Sequence, residues 1–198
     1  MTSPIAASTI AIFDFDATLI KGDSLWPFLA AVAGWPRCLL ALALALCVWA
    51  ARRPKGDART FIKSRLLMAL LAGRRVDSFD RAREKLRGWV VWLEPTLKAL
   101  REHHAAGHHI VIASGGLDLY LPDLLRDIPH HALICTQMEV KDGCVTGAML
   151  SQNCVRKRKA ELVAAYLANH GPFEESWGYG NLPHDLPMLA LVRHRIIV

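Results

Sequence analysis

Two aspartates two residues apart, Asp14 and Asp16, stand directly behind a short β-branched and apolar run, Thr9 to Phe13. In an extended segment such neighbours point the same way, so both carboxylates can share one site. Two like charges that close need a cation, or one of them must hold a proton. A hard dication with oxygen ligands meets that need, and magnesium takes one or two carboxylates together with waters and a phosphate. The plain alternative is a capping aspartate beside a surface one, and for an isolated pair that reading wins. The apolar strand in front and Thr18 behind make this pair specific.

Three other groups carry the same kind of chemistry. Ser114-Gly115-Gly116 follows the buried-strand pattern His109 to Ala113. A hydroxyl beside glycine-opened N–H groups at a helix start suits a phosphate, although such a tripeptide is common in turns. Lys159 lies near a helix start behind the basic run Arg156-Lys157-Arg158. There an ammonium could neutralise a carboxylate and phosphoryl oxygens. A solvated helix lysine is the commoner case, and Lys157 competes for the role. Asn181 and Asp185, in the loop after Ser176 to Tyr179, bear oxygens that could complete a metal site, and Asp185 also suits a helix N-cap.

These groups need a scaffold, and the pattern supplies one. After the first strand, helical signals dominate to about Leu100, with Asp57 as an N-cap for a helix ended by Gly73 and Glu94-Pro95 opening a helix closed by Gly107. Strand and helix then alternate: His109 to Ala113 a strand, Leu117 to Arg126 a helix, Ala132 to Val140 and Cys144 to Leu150 a hairpin. Lys157 to Asn169 reads as a helix, Ser176 to Tyr179 a strand, Asp185 to Val192 a helix and Arg195 to Val198 a strand. Strands separated by helices predict a mainly parallel, three-layer α/β sheet. Residues 1–19 and 92–198 form its core, and residues 20–91 form an inserted all-helical cap. Ligands bind such sheets beyond the carboxyl ends of the strands, where the four groups fall.

In that order, D-x-D-x-T, S-G-G, Lys and G-N-x-x-x-D resemble the four motifs of the haloacid dehalogenase phosphatases, over nearly the whole chain. The helical insertion resembles the cap of the phosphoserine-phosphatase-like subclass, and Lys159-Ala160-Glu161-Leu162 resembles its lysine context, which favours Lys159 over Lys157. The resemblance implies a Rossmann-like core and a phosphomonoesterase. Asp14 is then the nucleophile that forms an aspartyl-phosphate and Asp16 the general acid and base, while Ser114 and Lys159 hold phosphoryl oxygens. Thr18, Asp23, Gly115 and Gly116 belong to the substrate side, and Thr18 supports the loop. Mg2+ is held by Asp14, by Asp16 through its carbonyl, and by the last motif, with Asn181 and Asp185 as candidates. One departure stands out: most members carry aspartate where this chain has Asn181, whose amide oxygen adds no charge and predicts weaker metal affinity.

For the substrate, Asp23 lies where phosphoserine phosphatases place a carboxylate for the substrate amine, but Met68 occupies the place of the matching arginine, with Lys63 or Arg65 as substitutes. The apolar cap and basic residues instead favour a phosphorylated lipid such as phosphatidylglycerophosphate; phosphoserine or another small phosphate is the alternative. A phosphorelay receiver, or a catalytically weakened membrane-associated binding module, are readings of another class.

At the level of the whole chain, 198 residues suffice for one sizeable core or one core plus an appendage. A formal charge of +6 and a pI near 9.3 favour an anionic partner. Nucleic acid is not expected, because the basic residues are not interleaved with exposed aromatics or a known binding motif. Five cysteines without a C-x-x-C pair argue against a disulfide framework, and Met1 to Ser8 lacks a basic leader, so a cytoplasmic place is expected. Leu25 to Ala51 is apolar except for Arg37, and its unbroken stretch of 14 residues falls short of the ~20 of a membrane span. Two readings stay open for it. One is a buried hairpin bent at Gly34-Trp35-Pro36. The other is a peripheral membrane contact at the inner face, aided by Arg52, Arg53 and Lys55, with homodimerisation as its rival. The ending Ile196-Ile197-Val198, without a closing helix, leaves truncation or a partner open.

Overall fold

A computed structural model describes residues 8–54 and 56–198 of the protein, so most of the stretch Met1 to Ser8, and Lys55, lie outside the described residues. Five parallel strands form the sheet: β1 (Thr9–Phe13), β2 (His109–Leu117), β3 (Ala132–Thr136), β6 (Glu175–Gly180) and β7 (His194–Ile197), in the order β3-β2-β1-β6-β7. A separate antiparallel pair, β4 (Met138–Lys141) and β5 (Cys144–Met149), turns at Asp142-Gly143, both with positive φ.

The central strand shows why the sheet is covered on both sides. Ala11 and Phe13 of β1 pack in one apolar cluster, with Ile110, Ile112, Leu97 and Leu100. Ile10 and Ile12 face a second cluster, with Val111, Ala113, Val163, Met188 and Leu189. The period of two thus sends alternate residues to opposite layers. One layer holds α5 (Glu94–Ala105); the other holds α7 (Arg156–His170) and the short α8 (Leu186–Leu189). This is the three-layer, mostly parallel arrangement expected from the strand–helix alternation.

Between β1 and α5 run α1 (Leu25–Ala33), α2 (Trp35–Arg52), α3 (Ala58–Leu71), a 3₁₀ turn over Val76–Phe79, and α4 (Asp80–Trp89). Gly34, at φ 85°, makes the bend between α1 and α2 that Gly34-Trp35-Pro36 signals. Asp57 caps α3, its carboxylate accepting from the Thr60 N–H at 2.9 Å. Of the apolar stretch, α1 buries Phe28, Leu29 and Ala33, whereas α2 leaves most of its large side chains outside.

Three expectations are corrected. The helix expected over Leu117 to Arg126 shrinks to α6 (Leu121–Leu124), because β2 continues through Ser114-Gly115-Gly116 to pair Leu117 with Thr136. The long run Ala132 to Val140 is two strands, one in the main sheet and one in the small hairpin. The helix expected over Asp185 to Val192 is only the four residues of α8.

Candidate functional site

The chain passes from β1 to β2 and β3 on one side of the sheet and to β6 and β7 on the other, so its direction of winding reverses between β1 and β6. A crevice opens beyond the strand ends at such a reversal. Asp14 leaves β1 there with its N–H donating to the Tyr179 carbonyl at 2.9 Å, and Asn181 leaves β6 beside it. A cleft of about 660 Å³ lies above, lined by Asp14, Asp16, Asp23, Gly115, Gly116, Lys159, Asn181 and Asp185, and by Arg59, Ile62, Lys63 and Leu66 of α3. Thr18 and Ser114 do not line it; both are fully buried behind the wall.

Asp14 is buried and held from two directions. Lys159 Nζ donates to its Oδ1 at 2.6 Å, and the Thr18 hydroxyl donates to its Oδ2 at 3.1 Å. Burial pushes its carboxyl up to about 6, against the pull of Lys159 and with a further push from Asp185, so it is ionised at neutral pH. Asp16, with Oδ1 accepting from the Ser24 N–H at 2.8 Å, is pushed up to about 7 by burial and by the charges of Asp23 and Asp14. Such a group can both give and take a proton near neutrality. Two neighbouring carboxyls, one mostly ionised at neutral pH and one titrating near it, are differentiated by their surroundings alone.

Lys159 is almost completely buried and donates at 2.6 Å to both Asp14 and Asp185. Burial alone would strip its proton, but the two carboxylates reverse that and hold the ammonium above its ordinary range. Lys157 stays solvent-exposed beside Glu161, so of the two rival lysines Lys159 is the one in the cleft.

Asp185, expected among the metal ligands, has both oxygens committed elsewhere: Oδ1 accepts from Lys159, and Oδ2 accepts from the Asn181 N–H at 3.0 Å. Its position is that of an anchor for the lysine and the Asn181 loop. The fit for a cation lies one residue cluster further in. The Asn181 amide sits 3.1 Å from the Asp16 carbonyl oxygen and 3.4 Å from Asp14 Oδ2. Turning that amide over presents its oxygen to the same place, giving a carboxylate, a carbonyl and an amide oxygen, which suit a hard dication. Burial first, and after it the neighbouring carboxylates, raise the Asp14 and Asp16 carboxyls, and a dication bound there would favour their charged forms. Among the described residues no group of three His, Cys, Asp or Glu side chains could hold a metal.

Ser114-Gly115-Gly116 works differently from the expected helix-start cradle, being extended strand. Ser114 Oγ accepts from the Gly116 N–H at 2.9 Å. The glycines are needed for close approach: a Cβ on Gly115 would lie 2.8 Å from Val155 Cγ1, and one on Gly116 2.9 Å from the Tyr120 hydroxyl. Asp23 lies at the cleft edge with Oδ1 accepting from the Leu25 N–H at 2.9 Å.

Ser24, Asn153 and Thr136 were not singled out by motif, and Lys63, named as a substitute for a substrate-binding arginine, bonds to the protein itself. Ser24 fixes Asp16 and shares a hydrogen bond with Tyr120. Lys63 Nζ, buried, donates to the Gly115 carbonyl at 2.6 Å, Asn153 Oδ1 at 2.7 Å and Thr136 Oγ1 at 3.4 Å, and so ties α3 to the cleft wall. One signal for it existed: Lys63 falls on the apolar stripe Leu66, Leu67 and Leu70 of its helix, where a lysine must find buried acceptors. Asn153 and Thr136 carry no such signal, since only the tertiary fold brings them together.

The haloacid dehalogenase-like hydrolase family model matches residues 11–190. The phosphoserine phosphatase SerB2 of Mycobacterium tuberculosis is 26% identical over 182 residues, 91% of this chain and 42% of that protein. A phosphoserine phosphatase of Streptomyces coelicolor is 28% identical over 185 residues, 92% of this chain and 42% of that protein, so the chain spans less than half of both relatives. Among solved structures, a Bordetella pertussis protein of unknown function superposes with a TM-score of 0.76 at 25% identity, covering 96% of this chain and 90% of that one. A probable phosphoserine phosphatase from Vibrio cholerae gives 0.68 at 16% identity, covering 93% and 54%, which bears on the fold alone. With its family model matched from the first strand to the last helix, on a parallel sheet with a helical insertion, the chain belongs to the haloacid dehalogenase-like hydrolases.

Proposed function

We propose that the chain is a magnesium-dependent phosphomonoester hydrolase that works through a phosphorylated Asp14. The observation that carries this reading is the pair itself: an ionised carboxylate pinned by Lys159 and Thr18, two residues from a carboxyl that titrates near neutrality. Asp14 Oδ attacks phosphorus and forms an O–P bond while the ester P–O bond breaks, and Asp16 gives its proton to the departing alkoxide. Asp16, now a carboxylate, takes a proton from water, whose oxygen bonds to phosphorus as the Asp14–phosphorus bond breaks and inorganic phosphate leaves. Lys159 neutralises charge on the phosphoryl oxygens and on Asp14, and the Gly115 and Gly116 backbone shapes that side of the cleft, with the Ser114 hydroxyl behind it holding the Gly116 N–H. Magnesium, held by Asp14, the Asp16 carbonyl and Asn181, supplies positive charge against the phosphoryl oxygens when bound.

For the substrate, the lipid phosphate expected from composition finds no support in the relatives, whereas both curated relatives are phosphoserine phosphatases. We therefore favour a small phosphomonoester of the phosphoserine kind. Asp23 at the cleft edge suits a substrate ammonium. Lys63 has its donors occupied and Arg156 pairs with Asp57 at 3.0 Å, which favours Arg59, at the mouth and 2.9 Å from His184, as the cation for a substrate carboxylate. A hydrolysis screen with magnesium over phosphoserine, sugar phosphates, p-nitrophenyl phosphate and phosphatidylglycerophosphate tests this. Phosphoserine should be the best natural substrate, and Asp14→Asn should lower kcat by about 10⁴–10⁶. No turnover of any phosphomonoester, or an active Asn variant, refutes the assignment.

A further inference from the structure

The helix α2 is turned inside out compared with a solvated helix. Its buried positions are Cys38, Ala41 and Ala45, small residues that pack toward α1 and α3. Its large residues point away: Leu39, Leu40 and Leu44 are 59%, 61% and 58% exposed, and Trp35, Leu46 and Trp49 are exposed as well. From Cys38 to Ala51 no charged side chain interrupts the helix, and its one strong side-chain donor is the Trp49 indole N–H near the end, so it has no polar face to offer water. Its mean hydropathy of 1.4 over 18 residues is that of a segment able to enter a membrane. A helix that is apolar on every side needs a non-aqueous neighbour on every side, and on its outer side none of the described residues provides one.

We propose that α2 docks the protein onto an anionic bilayer surface, lying in the plane of the interface. Lying rather than crossing follows from the inner side: Cys38, Ala41 and Ala45 are packed on the protein body, which holds the helix from Cys38 to Ala45 against the rest of the fold. Trp35 and Trp49 stand near its two ends, amphipathic rings suited to the headgroup level. Arg37 in the first turn and Arg52 and Arg53 at the last are exposed and bracket the apolar strip with positive charge, in a chain of formal charge +6. Apolar outer face and basic ends are the features by which interfacial helices bind anionic lipid. The same charges count against a second copy as the occupant. A two-fold pairing of α2 with itself sets arginine toward arginine in either direction, Arg37 toward Arg52 and Arg53 when the helices run antiparallel and like ends together when they run parallel, whereas a phosphatidylglycerol surface attracts all three.

The test is co-sedimentation of the full chain with vesicles of phosphatidylglycerol and phosphatidylcholine, against phosphatidylcholine alone, at low and high salt. The wild type should sediment with the anionic vesicles and much less with the neutral ones. The variant Leu40→Ser with Leu44→Ser, at two exposed positions, should lose roughly tenfold or more of the binding at either salt. Arg37→Glu with Arg52→Glu should lose it most at low salt, where charge attraction is least screened. Both variants should keep the thermal unfolding temperature and p-nitrophenyl phosphate turnover of the wild type, since α2 contributes nothing to the cleft lining. The proposal is overturned if the wild type does not bind anionic vesicles, or if the leucine variant binds as well as the wild type. A stable dimer in sedimentation velocity that the leucine variant abolishes, without vesicle binding by the wild type, assigns the strip to a second copy and overturns it too.

Discussion

Replacing Lys63 with methionine should remove a rise of stability at alkaline pH that the wild type shows. The ammonium is buried with neutral acceptors only, the Gly115 carbonyl, Asn153 and Thr136, and burial pulls it from 10.5 down to about 8. The unfolded chain keeps this proton up to its ordinary range, while the folded chain releases it near 8. Between those limits the unfolded state binds more protons, so stability climbs as pH rises and is lowest below 8. At about 1.36 kcal/mol per pH unit, the gain between pH 7 and pH 10 comes to roughly 2–3 kcal/mol. Methionine has a similar length and no proton, so its contribution is flat. Urea unfolding of both proteins at the two pH values isolates the effect, because every other titrating group is shared. The wild-type advantage over the variant should widen by that amount toward pH 10. A difference that stays constant within about 0.5 kcal/mol means that Lys63 is not a buried ammonium, and the account of how α3 is tied to the cleft falls with it.

Two further outcomes follow from the site. Asn181→Asp places a third carboxylate beside Asp14 Oδ2 and the Asp16 carbonyl, so it should lower the magnesium concentration giving half-maximal activity and also lower metal-free stability; an unchanged midpoint removes Asn181 from the cation site. Gly180→Ala puts a Cβ 2.8 Å from the Asp185 Cβ and 3.1 Å from its Oδ2, so it should cost about 1–3 kcal/mol in thermal or urea unfolding and reduce kcat by disturbing the Lys159 anchor; a variant with wild-type stability and kcat contradicts that role for Asp185.

Much of this was legible because chain-local physics decided it. An apolar five-residue run ending at Asp14 makes a central strand whatever surrounds it, and Asp14 and Asp16 inherit its end. Asp57 before a helical pattern, and Gly34 between two apolar stretches, act through their own backbone and side chain. What failed depended on distant partners. Ser114 to Leu117 reads as turn and helix start, but pairing of Leu117 with Thr136 draws it out as strand. The split of Ala132 to Val140 reflects its handover from the main sheet to the β4–β5 pair. The outer face of α2 was undecidable because an apolar helix has no period that says which side meets the protein. Asp185 looked like a metal ligand by type and spacing; only the fold shows Lys159 and the Asn181 N–H already occupying its oxygens.

The central claim is that Asp14 carries the phosphoryl group and Asp16 moves the protons. It is tested most directly by acid-quenching the Asp16→Asn variant after mixing with p-nitrophenyl phosphate and magnesium, then mapping the peptides by mass spectrometry. That leaving group needs no proton, so the first transfer proceeds while the water step, deprived of its base, stalls. The account predicts a phosphoryl adduct on Asp14 that builds up in this variant and is absent when Asp14→Asn is added. An adduct on another residue, or none under conditions where nitrophenolate is released in a burst, contradicts it.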